Sequence, residues 1–171
     1  AKNPAGDASR RRAAQAAADE GATGMKLGLG SGRTADRFVR ELGRRIREER
    51  LAIAGVPTSE DTARLAIAEG VPLITLDSEP ELDLTVDGAD EIDADLRLIK
   101  GGGGALLREK IVAAASKRML VVVDAAKVVK TLGAFALPVE VVAFGLGATR
   151  LAIRRLADRL DLPGAIALRM R

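Results

Sequence analysis

The sequence of 171 residues contains no histidine and no cysteine. Without cysteine there is no disulfide framework and no thiolate chemistry. Without histidine the commonest general base and the commonest metal ligand are both missing. Acid–base work must therefore fall to carboxylates, lysines or hydroxyls. Tryptophan and tyrosine are absent as well, and phenylalanine occurs three times. The core must be aliphatic, and nucleobases would find no stacking platform. No apolar run approaches the ~20 residues that span a bilayer. Arg10, Arg11 and Arg12 are not followed by the apolar stretch of a signal peptide. These absences lead to the expectation of a soluble cytoplasmic protein with neither a membrane nor a nucleic-acid partner. The densest basic run, "RRIREER" at 44–50, is interleaved with glutamates and reads as a solvated helix face.

What is present points to one domain with a substantial core, since 47% of residues are hydrophobic and 30% charged. Short apolar runs alternate with helical patterns. Strand candidates lie at 25–30, 51–57, 71–76, 82–86, 96–100, 118–124, 137–142 and 165–170. Ala35, Phe38, Val39, Leu42 and Ile46 fall on one helix face. Further helices are predicted over 59–69, with Ser59 as N-cap, over 105–117, with Leu106, Ile111, Val112 and Ala115 as its apolar positions, and over 148–160. Alternation of this kind predicts an α/β fold with a doubly wound, mostly parallel sheet. Continuous apolar strands such as "LVVV" suit a sheet covered on both faces. The region after Leu137 reads as strand, helix, strand, a small second unit.

Ligands of open parallel sheets bind beyond the carboxyl ends of the strands. Five strand ends carry polar or glycine-rich sequence: "GSGRTA", "PTSED", "DGADEID", "KGGGG" and "DAAK". They are expected to converge on one rim. "GLGSGRTA" turns from a strand into a helix, where free N–H groups and the hydroxyls of Ser31 and Thr34 suit a phosphate. It lacks the spacing of a P-loop or a dinucleotide fingerprint, and a plain tight turn is the alternative. "DGADEIDAD" holds five carboxylates in nine residues. Its Gly88 stands at position 2, not at the position 6 of a calcium loop. Glu91, Asp93 and Asp95 read best as a polar turn, a magnesium site being the alternative. Asp87 and Asp90 are the better site candidates. In "KGGGGALLREK", four glycines allow close backbone approach and offer N–H donors to a developing oxyanion. Lys100 adds positive charge, and Glu109 lies where it can reach back over the loop, with Lys100 and the nearby helix start expected to favour its ionised form. Together these parts fit proton transfer next to a carbonyl.

The segments "GLGSGRTA", "GVPTSEDTARLAIAEGVPL", "DLTVDGADEID", "KGGGGALLREKIV", "VVVDAAKVV" and "LPVEVV" resemble type A ribose-5-phosphate isomerase, in that family's order over most of residues 25–142. The resemblance implies interconversion of ribose 5-phosphate and ribulose 5-phosphate through an enediolate, without metal or cofactor. It implies Glu109 as the base, Asp87 in ring opening and hydroxyl proton transfer, Lys100 on the enediolate and Asp90 in sugar positioning. Ser31, Gly32, Arg33 and Thr34 fall on its phosphate turn. Gly101, Gly102 and Gly103 fall on its substrate loop, and Lys127 on a lysine near the substrate. Arg33 stands where the family carries a small hydroxyl residue. A Rossmann-like catalytic domain over 1–136 is implied, and 137–171 would be the start of a truncated, ferredoxin-like α+β unit. A homodimer or homotetramer is implied too. The rival readings are a sugar-phosphate sensor and a coenzyme A transferase-like enzyme of related fold. A sensor needs no base at position 109, so Asp87, Lys100 and Glu109 together favour the isomerase.

Overall fold

Leu27, Gly28 and Leu29 are buried in succession, which only a strand covered on both faces permits. They belong to β1 (Lys26–Leu29) in a computed structural model that describes residues 4–169. Around β1 follow α1 (Pro4–Asp19), α2 (Arg33–Glu49), β2 (Ala54–Pro57), α3 (Glu60–Ala68), β3 (Leu84–Asp87), β4 (Glu91–Ile92), β5 (Leu98–Ile99), α4 (Leu107–Ala114), β6 (Met119–Val121) and α5 (Leu146–Arg159). The main sheet has the order β2-β1-β3-β6. Every pair in it is parallel, with Leu27 opposite both Gly55 and Leu84, and Thr85 opposite Met119.

Helices cover both faces. Leu27, Leu29, Leu84 and Val86 pack with Phe38, Val39 and Leu42 of α2 and with Ala14, Ala17 and Ala18 of α1. The 3–4 spacing on each helix is what turns one stripe inward. Gly28 and Thr85 face the other way, toward α4. A Cβ at Gly28 would collide with Thr85 and Val112, so the missing side chain lets α4 lie close to the sheet. Thr85 Oγ1 then bonds to Ser116 Oγ at 2.6 Å and to the carbonyl of Val112 at 3.3 Å. Glu109, one turn before Val112, shares its inward face and is buried with it.

Several predicted elements are corrected. Residues 71–76 supply only a bridge, Leu73 to Gly55. The run at 96–100 does not join the main sheet: its β5 pairs antiparallel with β4 in a separate ribbon. Ile111 of the predicted apolar face of α4 is exposed, and Glu109 takes its place. Among the described residues, 137–142 and 165–169 form no strand, and Met170 lies outside them. A strand needs a neighbour to accept its ladder, and none lies alongside. Leu137, Val139 and Val142 are exposed, α5 buries no side chain, and neither core cluster extends beyond Val122.

Phe38 is 1% exposed and wedged among the alanines of α1 and the leucines of α2 and β1. Phe38→Ala should cost about 3–5 kcal/mol of folding stability, read from equilibrium urea unfolding. A loss near 1 kcal/mol would mean that the aliphatic layer recloses over the gap.

Candidate active site

The strand order reverses direction between β1 and β3, since β2 lies beyond one and β6 beyond the other. Such a switch point splays the following loops and opens a crevice. A cleft of about 430 Å³ occupies it, lined among others by Ser31, Asp87, Asp90, Lys100, Gly103 and Glu109. A smaller cavity of about 100 Å³ lies beside Ser31, Gly32, Arg33 and Thr34, with Arg10, Asp124 and Lys127 on its walls. The strand ends that carry polar sequence do converge, although β5 reaches the rim from its own ribbon.

Asp87 is 2% exposed at the end of β3. One of its oxygens accepts the N–H groups of Ser31 (3.1 Å) and Gly88 (2.7 Å). Gly30 has no Cβ, and one there would overlap the Asp87 carboxylate, so the β1 turn closes directly over it. The other Asp87 oxygen accepts from Lys100 Nζ at 3.2 Å. The same ammonium donates to the carbonyl of Gly88 at 2.6 Å and lies 3.0 Å from Glu109 Oε2. Two buried carboxylates thus share one cation. Burial, foremost, and then the Asp87 charge push the Glu109 carboxyl above its ordinary value, and Lys100 pulls it back only in part. The expectation that Lys100 and the helix start would favour the ionised form is therefore corrected: desolvation outweighs them. The raised value suits a base that must also return its proton.

Asp90 accepts the Gly102 N–H at 2.7 Å and so ties the acidic turn to the glycine loop. Lys127, on a single 3₁₀ turn Ala125–Lys127, donates to the carbonyl of Ala89. At the phosphate turn, α2 begins after Gly32 with no side chain capping it. Its first-turn N–H groups remain for an anion. Ser31 is committed elsewhere. Its N–H goes to Asp87, and its hydroxyl lies 2.7 Å from Thr58 Oγ1. Thr58 spends its own hydrogen on the carbonyl of Leu29, so Ser31 is the donor of that pair. Arg33 is exposed on the rim of both cavities. Thr34 lines the smaller cavity only.

The remaining acids form the polar turn. Asp93 accepts from the N–H groups of Asp95 and Arg97 and from the Arg97 side chain, and Glu91 accepts from the N–H groups of Gly133 and Ala134. Among the described residues no group of three acidic side chains is placed to hold a metal ion, and no helix is long and apolar enough to cross a membrane.

Sequence reasoning missed Thr58 beneath Ser31. It missed Glu140, which accepts the first N–H of α4, from Leu107, at 2.6 Å. It also missed Arg10, ion-paired to Asp124 at 3.0 Å across the smaller cavity. Their partners are 27, 33 and 114 residues away, so no local pattern signals them.

The family model described as ribose 5-phosphate isomerase A (phosphoriboisomerase A) matches residues 54–171. The chain is 61% identical over 158 residues to ribose-5-phosphate isomerase A of Sinorhizobium fredii, covering 92% of this chain and 68% of that one. The solved structure from Methanocaldococcus jannaschii superposes with a TM-score of 0.81 at 44% identity, over 90% of this chain and 67% of that one. The ribose 5-phosphate isomerase from Plasmodium falciparum gives 0.86 at 36% identity, over 96% and 71%.

Because the folded state raises the Glu109 pKa, Glu109 contributes its stability in the protonated form and loses it as pH rises through the folded value. Glu109→Gln should therefore gain stability over the parent at pH 8 and lose that advantage below pH ~4. Thermal unfolding of both proteins across that range checks the sign. An advantage that grows toward acid would reverse it.

Proposed function

This chain belongs to the ribose 5-phosphate isomerase A family, and we propose that it interconverts ribose 5-phosphate and ribulose 5-phosphate through an enediolate held in the cleft. The observation that carries the mechanism is the Lys100 ammonium set between two buried carboxylates, 3.2 Å from Asp87 and 3.0 Å from Glu109. A sensor that only binds would gain nothing from burying a base whose proton affinity is raised.

The steps follow from these positions. The sugar phosphate docks on the uncapped N–H groups at the start of α2, with Thr34, Arg33 and Lys127 around it. Asp87 takes the proton of the anomeric hydroxyl and the ring oxygen receives one, which opens the furanose to the aldehyde. Glu109 removes the proton from C2, and the electron pair moves through the new C1–C2 double bond onto O1. Lys100 and the N–H groups of the Gly101–Gly103 loop meet that charge, which is where preorganised donors act most strongly. Asp90 keeps the loop in place. Asp87 carries the hydroxyl proton from O2 to O1, and Glu109 returns its proton to C1, leaving the ketone at C2. Residues 1–136 form the catalytic domain in this reading and 137–171 belong to a smaller unit. Cytoplasmic residence and a homo-oligomer belong to it by family membership alone.

Glu109→Gln keeps the size but cannot accept the proton, and turnover should fall by ~10²–10⁴-fold with substrate affinity nearly unchanged. Exchange of the C2 proton into deuterated water should fall with it. Near-parent turnover and exchange in the variant would remove Glu109 from the base role. Asp87→Asn removes a charge that raises the Glu109 pKa, so the acid limb of the residual rate should move to lower pH. An upward move would mean that the Asp87 charge does not act on the base.

Thr34→Val removes one hydroxyl donor without changing the shape. It should weaken binding of the phosphorylated sugar by about 1.5–3 kcal/mol and leave unphosphorylated ribose indifferent. Equal losses for both sugars, measured as competitive inhibition and KM, would place the phosphate elsewhere.

A further inference from the structure

The glycine loop has a second support that lies outside the cleft. Arg169, at the far end of the described chain, donates from Nη1 to the carbonyl of Gly102 at 2.9 Å and from Nη2 to the carbonyl of Gly101 at 3.3 Å. One planar guanidinium thus holds two successive peptide units of the loop. Its side chain is exposed and does not line either cavity, so it grips the loop from behind.

The grip has a directional consequence. All peptide bonds here are trans, and in a planar trans unit the C=O and the N–H point in opposite directions. Fixing a carbonyl on the outer side therefore aims the N–H of the next residue inward. The first unit displays this: the Gly101 carbonyl meets Arg169, while the Gly102 N–H reaches Asp90 at 2.7 Å. The second unit has its carbonyl on Arg169 too, and its N–H belongs to Gly103, which lines the cleft. Among the described residues the Gly103 N–H has no protein acceptor. The Gly101 carbonyl also accepts the Gly104 N–H at 2.9 Å within the loop's own turn, whereas among the described residues the Gly102 carbonyl accepts from Arg169 alone, so for this side-chain-free second unit the external clamp is what fixes the orientation. The cation also polarises both peptide groups and strengthens their N–H donors.

We propose that Arg169 is a positioning residue for the isomerisation: it holds the Gly101–Gly103 peptides so that the Gly103 N–H is aimed, before substrate arrives, at the oxygen that becomes the enediolate oxyanion. This rests on the isomerase reading above. A donor aimed at developing charge lowers the barrier and does little for the ground state. Loss of Arg169 should therefore appear in kcat and not in KM.

The test uses the full chain, with Arg169→Ala and Arg169→Lys beside the parent. Removing an oxyanion donor outright costs ~10²–10³-fold, and misaiming one should cost less. Arg169→Ala should lower kcat by roughly 10–100-fold with KM within about 2-fold. Arg169→Lys keeps the charge but not the fork, and should recover part of the loss. Millimolar guanidinium should restore turnover to the alanine variant and leave the parent unaffected. A phosphorylated four-carbon aldonic acid, whose carboxylate offers two oxygens in the manner of an enediolate, should bind the alanine variant more weakly by a factor similar to the loss in kcat. Inorganic phosphate should inhibit both proteins equally. Parent kcat in Arg169→Ala would overturn the proposal. So would equal weakening toward the acid and phosphate, or a fall in kcat that neither lysine nor guanidinium relieves. The amide resonance of Gly103 supplies a readout independent of turnover: it should move when the acid binds the parent and fail to move in the alanine variant. If the parent never converts ribose 5-phosphate yet shows that shift, the isomerase reading and the catalytic role of Arg169 fall together, while its aiming of the Gly103 N–H stands.

Discussion

Two carboxylates, Asp87 and Glu109, are buried against one ammonium, and the rest of the site is arranged to make that tolerable. Burying an unpaired carboxylate carries a large desolvation penalty. Lys100 answers part of it by lying within 3.2 Å of both acids. The backbone answers another part, because Ser31 and Gly88 give their N–H groups to Asp87. Glu109 receives the smaller share of this support, and its raised proton affinity is the result. The asymmetry divides the labour. In the proposed mechanism the amply hydrogen-bonded Asp87 is an anchor and a carrier of hydroxyl protons. In that mechanism the less supported Glu109 takes and returns the proton of a carbon acid.

The sheet exists in a form that delivers these groups. Parallel strands place all their carboxyl ends on one rim, and the reversal of order between β1 and β3 opens the crevice there. The absence of a side chain at Gly28 brings α4 down onto the sheet, and the absence of one at Gly30 brings the phosphate turn down onto Asp87. Thr58 and Thr85 then fasten the two approaches with hydroxyl bonds. The distance from the start of α2 to Glu109 is in this way set by the packing of a rigid layer and not by loops alone.

Much of this was legible in the sequence because it is local. The inward stripe Ala35, Phe38, Val39 and Leu42, the Ser59 cap and the parallel class of the sheet all depend on neighbours within a few residues. So does the polar turn around Asp93, whose acceptor bonds stay within four residues. What misled were features decided by a distant partner. The run at 96–100 looks like any central strand, yet its Leu98 and Ile99 pair with Glu91 and Ile92 instead of the main sheet. The apolar runs at 137–142 and 165–169 have strand composition but no ladder beside them. Ile111 looked like the core side of α4, but the collision surface at Gly28 selects Val112 and turns Glu109 inward. The direction of the Glu109 shift also escaped, since sequence reveals charges nearby but not how much water has left.

β3 is bonded on one side to β1 and on the other to β6, two strands that lie far from it on opposite sides in the sequence. Neither flank of the cleft exists until that central strand has been inserted between partners from both halves of the chain. Closing such long loops carries an entropic cost that local pairing does not. A chain in which β1 is not yet paired therefore leaves Asp87 without the Ser31 N–H and without the turn that closes over it, so the support of a buried carboxylate in the second half of the sheet depends on a segment more than fifty residues earlier.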